Sequence, residues 1–264
     1  MENFLDVAVD IAHEAGALLS SLFEGPLEIR YKGPMDVVTE ADRRSEALIT
    51  KRLSDAFPDH AIVAEEGGGH QSRSEFCWYV DPLDGTTNFA HRFPVFCVSL
   101  GLARRNEVIV GVIYDPIHRE LYTAELGGGA FLNGRRLSVS KTENLAEGLV
   151  ATGFPPYASD HDLNIQYYFR FTQACHGVRR AGSAALDLCS VAAGRFEGFW
   201  ELKLNPWDKA AGVLMVTEAG GRVTDLSGGP FKLLANEIFA SNGLVHDAML
   251  QIFSEYLAQK PQGA

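Results

Sequence analysis

The chain has 264 residues, 46% of them hydrophobic and 22% charged, with 34 acidic side chains against 23 basic ones and a formal net charge of −11. That length buries most of the unfolded surface without disulfides or metal, and the composition excludes collagen, coiled coil and intrinsic disorder. The acidic balance argues against direct nucleic-acid binding, which depends on Lys and Arg neutralising phosphates. No run approaches the roughly 18 apolar residues that span a membrane. The acidic opening MENFLDVAVDIAHEAG is unlike a signal peptide, so the expected location is cytoplasmic.

Phe4, Ala8, Ile11, Ala15, Leu18 and Leu22 recur at helical spacing and predict a first helix ending near Gly25-Pro26. Residues 39–57 predict a second, with Leu48, Ile49, Leu53 and Phe57 as its apolar positions. AIVAE, FCWYVD, VFCVSLGLA and EVIVGVIYD then read as strands, the last two joined by the turn-like Arg105-Asn106. The stretch ELYTAELGGGAFLNGRRLSVS reads as a hairpin around Asn133-Gly134, a strong type I′ signal. Thereafter the pattern alternates: strand LVATGF, a helix near 161–175, a helix from Ser183 to about Gly194, and strand FEGFWEL. The helix DKAAGVLMVTEAGG, short strands GRVTDL and IFASN, and the closing helix VHDAMLQIFSEYLAQK follow. No linker or repeat separates the halves. The expectation is one α/β (α+β) body over 1–264, with an N-terminal α+β half of about 1–145, a C-terminal α/β half of about 146–264, and a ligand crevice between two α/β layers.

Cys77, Cys97, Cys175 and Cys189 form no CxxC pair and read as buried thiols, and the histidines show no metal spacing. Acids, in contrast, mark four places. In DVVTEAD, Thr39 and Asp42 have capping-box spacing, so Asp42 reads as a helix starter. Glu65-Glu66 leaves a strand end into a Gly-rich loop, either as a solvated turn or as a metal ligand at the edge of a sheet. In WYVDPLDGTTNF a strand runs into Asp81, Pro82 fixes a turn, and Asp84 follows three residues later, so both carboxylates can converge on one hard cation such as Mg²⁺. Gly85 and Thr86 come next, and Gly lets a phosphate approach backbone N–H groups closely. Asp208, in WDKAAG, reads as a helix N-cap, a role that does not exclude metal ligation. Arg179-Arg180 either steers anions or sits at a solvated or interface position.

Taken in order, these segments resemble the inositol monophosphatase family of lithium-sensitive, Mg²⁺-dependent sugar phosphatases. DPLDGTTNFAHRFP is similar to that family's first signature and WDKAAGVLMVTEAGG to its second, with DVVTEAD, the Glu-Glu pair and GSAALDLCSVAAGR at matching places across about residues 4–255. The resemblance implies a layered αβαβα sandwich and two or three Mg²⁺ ions. Glu65, Asp81 and the Leu83 carbonyl would hold the first; Asp81, Asp84 and Asp208 the second; Glu65 would assist a third. Thr86 and Asp42 would orient the attacking water, and the N–H groups of Gly85 and Thr86 would cradle the phosphate. Gly182, Ser183, Ala184 and Glu201 would face the alcohol part of a small phosphorylated substrate, with inositol 1-phosphate favoured by Glu201. Related members hydrolyse fructose 1,6-bisphosphate, histidinol phosphate or adenosine 3′,5′-bisphosphate. Members are usually homodimers, and some bacterial ones also join transcription antitermination complexes through protein contacts.

Overall fold

A computed structural model of the chain describes residues 3–25, 29–33, 36–154 and 163–259. The N-terminal half runs α1 (Phe4–Glu24), β1 (Ile29–Gly33), β2 (Asp36–Thr39), α2 (Glu40–Ala56), β3 (Ala61–Ala64), β4 (Phe76–Asp84) and α3 (Thr86–Ala90). It continues through β5 (Cys97–Arg104), β6 (Glu107–Asp115), β7 (Glu120–Glu125), β8 (Gly129–Leu132) and β9 (Arg135–Arg136). The C-terminal half runs β10 (Leu149–Thr152), α4 (Leu163–Ala174), β11 (Gly177–Arg179), α5 (Ala184–Ala192), β12 (Gly198–Leu202), α6 (Pro206–Glu218), β13 (Arg222–Thr224), β14 (Glu237–Ser241) and α7 (His246–Gln259).

Five layers result. Among the described residues seven strands form one sheet in the order β3-β4-β5-β6-β7-β8-β9, antiparallel except for the parallel pair β3–β4. Five more form a mixed sheet in the order β11-β10-β12-β14-β13. On the outer face of the larger sheet lie α1 and α2. Ala8, Ile11, Ala12, Ala15 and Leu19 repeat every three or four residues along α1 and pack with Ile49 and Leu53 of α2 against Trp78, Val80, Leu100 and Val112. Each fully buried Leu or Ile there contributes about 1.5–3 kcal/mol. Between the sheets lie α5 and α6, whose Leu188, Cys189, Ala210, Ala211 and Met215 share a core with Tyr79, Ile113 and Phe199. Beyond the smaller sheet α4 and α7 close a third core around Phe171, Trp200, Phe239 and Phe253. The order helix–sheet–helix–sheet–helix is the expected sandwich. Its central helix comes unusually close to the sheet: a Cβ on Gly101 would stand 2.7 Å from the Ala210 Cβ, and one on Gly111 2.9 Å from the Ala211 carbonyl oxygen.

The structure corrects several local expectations. Pro82 does not make a turn. Strand β4 runs on to Asp84 with a register irregularity between Asp81 and Asp84, a bulge that accommodates a residue without an N–H. The hairpin β1–β2, strand β11 and the five-residue α3 were not foreseen. The first helix ends at Glu24 with Gly25 as its C-cap, and the expected Pro26 lies outside the described residues, as do 161–162 of the predicted fourth helix and Lys260. Both predicted two-residue turns have positive φ throughout: 52° and 71° at Arg105-Asn106, 49° and 77° at Asn133-Gly134. No helix among the described residues is long and apolar enough to cross a membrane.

Candidate active site

The site is built where β4 ends, and four helices, α2, α3, α5 and α6, start there. Thr39 caps α2 and Asp42 completes the capping box: the Thr39 N–H and hydroxyl both donate to Asp42 Oδ2 at 2.7 Å. The other carboxylate oxygen, Oδ1, receives the Thr86 hydroxyl at 2.7 Å. The same Thr86 oxygen lies 3.1 Å from the Leu83 carbonyl oxygen. Burial raises the Asp42 pKa, against the pull of its hydrogen bonds from Thr39 and Thr86. Two residues far apart in sequence, predicted as a water-orienting pair, are thus in direct contact.

Asp81 is 2% exposed, and its Oδ1 accepts the Leu83 N–H at 3.1 Å, a bond that shapes the bulge. Burial, joined by the charges of Glu65, Asp84 and Asp208, drives its pKa well above the carboxylate range. Asp84 points its Oδ2 at the start of α5, where the Ser183 hydroxyl and the Ala185 N–H each donate at 2.7 Å. Burial still pushes Asp84 up to about 6. Asp208 is not the N-cap the sequence suggested. Asn205 takes that place, Pro206 opens α6 with the φ a first helical residue needs, and Asp208 follows as the third residue, accepting the Asn205 N–H at 2.6 Å. Burial, with a smaller push from Asp84, raises it to about 7.

These acids and Glu65, at the end of β3, supply only oxygen donors, the set a hard divalent cation takes. Their mutual repulsion is the signature of a place that a cation would relieve. Among the described residues no three acid, His or Cys side chains close around one point as a finished cage. The fit therefore rests on donor chemistry and on the charges of Glu65, Asp84 and Asp208 acting on Asp81.

Gly85 links the acids to α3. Its φ of 102° is left-handed, and a Cβ there would meet the Val95 carbonyl oxygen at 2.8 Å, so no other residue fits without a shift. Asn88 of α3 donates to the Val95 and Ala181 carbonyls, each at 2.8 Å, tying α3 to the segment that carries Gly182. Gly182, Ser183, Ala184 and Glu201 line one cavity of about 180 Å³ together with Asp84 and Asp208. The structure thus brings the alcohol-side residues against two of the acids.

Residues that the sequence left unmarked complete the site. Ser45 and Glu46 lie on the face of α2 that carries Asp42. Ser45 donates to the Pro82 carbonyl at 2.8 Å, and Glu46, 4% exposed, accepts the N–H groups of Glu66 and Gly68 at 2.6 and 2.7 Å. One helix face therefore holds Thr86, the β4 bulge and the loop after Glu65. The only hint in the sequence was the three- and four-residue spacing of Asp42, Ser45 and Glu46. Asp187 and Arg180 also line the 180 Å³ cavity.

The model of the inositol monophosphatase family matches residues 1–258. The inositol-1-monophosphatase of a Synechocystis strain is 44% identical, covering 99% of this chain and 91% of its own length. Nus factor SuhB of Escherichia coli is 43% identical over 95% of each protein. Among solved structures, inositol monophosphatase from Anabaena (Nostoc) matches with a TM-score of 0.86 at 42% identity, covering 96% of this chain and 95% of that one.

Proposed function

The chain belongs to the inositol monophosphatase family and is a phosphatase; from that premise we propose that it hydrolyses inositol 1-phosphate to inositol and phosphate, with Mg²⁺ as its cofactor. The observation that carries the reading is the juxtaposition of the coupled acids Asp81, Asp84 and Asp208 with the hydrogen bond from Thr86 to Asp42. Glu65, Asp81 and the Leu83 carbonyl would hold one ion, Asp81, Asp84 and Asp208 a second, with Glu65 assisting a third. When bound, Mg²⁺ lowers the pKa of water and neutralises the phosphate and the departing alkoxide.

The remaining work falls to the chain itself. With its proton directed to Asp42, the Thr86 oxygen keeps a lone pair to accept a hydrogen bond from water, which turns the water oxygen toward phosphorus. Asp42 is kept from rotating by the two donors of Thr39 on its other oxygen. The N–H groups of Gly85 and Thr86, at the start of α3 and so without helical acceptors, bind phosphate oxygens. Gly182, Ser183, Ala184 and Glu201 bind the polyol. The same family reading brings a homodimer, lithium inhibition and a cytoplasmic location.

The test is phosphate release from inositol 1-phosphate, fructose 1,6-bisphosphate, histidinol phosphate and adenosine 3′,5′-bisphosphate, with Mg²⁺ and with chelator. Chelator-sensitive turnover led by inositol 1-phosphate is the expected result. Turnover led by another ester would keep the mechanism and replace the substrate; silence from the whole panel would remove both. The likeness to Nus factor SuhB supports a second reading, a protein-binding role in transcription antitermination. A cellular phenotype that survives loss of the acids would favour it.

A further inference from the structure

Helix α5 begins beside Asp84, and its residues Ser183, Ala184 and Asp187 are spaced to share one face, three and four residues apart. The first two were expected at the site; Asp187 was not. It is 2% exposed, and among the described residues it accepts no hydrogen bond and makes no ion pair. The positive charge of Arg180 favours its ionised form, yet the Arg180 guanidinium donates to the Phe154 carbonyl at 3.2 Å and lies over the Phe154 ring. Glu201, 9% exposed and on the facing strand β12, is in the same condition: among the described residues its carboxylate accepts no hydrogen bond either. Both acids line the 180 Å³ cavity that opens beside Asp84 and Asp208. Asp187 also borders a second cavity of about 220 Å³, but the polar groups there already have partners: Arg195 pairs with Glu120, and His118 Nδ1 lies 2.8 Å from Asp115 Oδ2. The unmet demand for donors faces the active-site side.

Buried carboxylates without partners are rare because desolvation is not repaid. The demand is met if the ligand brings the donors. A cavity with space for about six waters suits a small ring, and Arg180 on its wall disfavours an ammonium group.

Resting on the phosphatase reading above, we propose that Asp187 acts with Glu201 as a pair of carboxyl groups that recognises neighbouring hydroxyls of a phosphorylated polyol, and that Asp187 thereby sets which alcohol the site accepts. The test compares wild type with Asp187→Ala and Asp187→Asn. It measures KM for inositol 1-phosphate, the inhibition constant of inorganic phosphate, and melting in chelator. Losing a hydrogen-bonding carboxyl raises KM about tenfold or more in the Ala variant, while the inhibition constant of phosphate, which has no alcohol part, stays within twofold. The Asn variant, which still offers an amide to a hydroxyl, recovers part of the KM and melts no lower than wild type. An unchanged KM, an equal rise in the phosphate constant, or a larger loss with histidinol phosphate than with inositol 1-phosphate would each overturn the proposal. A collapse in melting temperature of the Asn variant would assign Asp187 to the fold instead. A wild type that releases phosphate from no phosphorylated alcohol would remove the phosphatase reading itself, a distinct outcome.

Discussion

Replacing Asp84 with Asn separates a cation site from a set of structural caps, because the two roles make opposite demands on the charge. As a cap, Asp84 needs only its Oδ2, which receives the Ser183 hydroxyl and the Ala185 N–H at 2.7 Å; an amide oxygen accepts the same two bonds. What the substitution removes is the charge, which burial penalises by raising the pKa from 3.8 to about 6. A raised acid pKa means that the folded protein holds the proton more tightly than the unfolded chain. This stabilisation is complete below the unfolded pKa of 3.8 and is lost as pH rises through about 6. At about pH 8 the ionised group therefore costs the metal-free fold on the order of 3 kcal/mol relative to a neutral one, and roughly half of that at about pH 5. At about 2–4 °C per kcal/mol, Asp84→Asn should melt roughly 6–12 °C above wild type in chelator at the higher pH. The assay is thermal unfolding at both pH values, with EDTA and then with Mg²⁺ plus phosphate. Bound at about 100 times its dissociation constant, one ligand adds about 2.7 kcal/mol to wild type; the variant should gain much less and lose turnover. A variant that melts below wild type in EDTA at the higher pH would refute the reasoning, since the charge would then be serving the fold.

Three other perturbations probe separate links. Thr86→Val keeps the volume but removes the hydroxyl, so turnover should fall about 10²–10⁴-fold. Asp42 would lose one of its partners at a cost of about 1–3 kcal/mol, read as a modest drop in melting temperature. Glu46→Gln replaces one acceptor with an NH₂ that faces a backbone N–H. Amide exchange at Glu66 or Gly68 should then accelerate in metal-free protein, and the Mg²⁺ concentration for half-maximal activity should rise; unchanged exchange would show that the loop after Glu65 is held by other contacts. Gly85→Ala combines a left-handed φ, worth about 1–2 kcal/mol, with a Cβ 2.8 Å from the Val95 carbonyl oxygen. Both melting temperature and turnover should drop, and an unperturbed variant would contradict the tight approach of α3 to the strand after it.

The layers were legible because their signals are local and periodic: the three- and four-residue repeat of α1, the apolar runs of β4 to β6, and the two positive-φ turns. The elements that went unread are short. Strand β11 has three residues and α3 five, too few for a period to register; α3 exists because Gly85 turns the chain and Asn88 anchors it to Val95 and Ala181. Asp42, Asp81, Asp84 and Asp208 stood out through motif spacing, but their partners did not. The bonds from Ser183 and Ala185 to Asp84 cross about a hundred residues of sequence, and no local pattern encodes them. Asp187 looked like any acid in a first helical turn, favoured by the helix dipole. Its burial comes from the second sheet packing over α5, which only tertiary structure supplies.

The capping bonds of these acids and the cation site proposed for them are compatible in one arrangement. Asp42 accepts the N-cap N–H of α2, Asp84 the Ala185 N–H in the first turn of α5, and Asp208 the N-cap N–H of α6. Helices α5 and α6 thus aim their positive ends at one cluster of carboxylates. At about half an elementary charge each, they offset part of the repulsion among Asp81, Asp84, Asp208 and Glu65. The offset is incomplete, since Asp84 and Asp208 still sit at about 6 and 7. An incomplete offset is what a reversible cation site requires: with none, the acids would force the end of β4 apart from α5 and α6, and with full compensation a cation would gain little by binding. On the proposed reading the capping role would let the fold form before a cation arrives, and the residual repulsion would favour its binding.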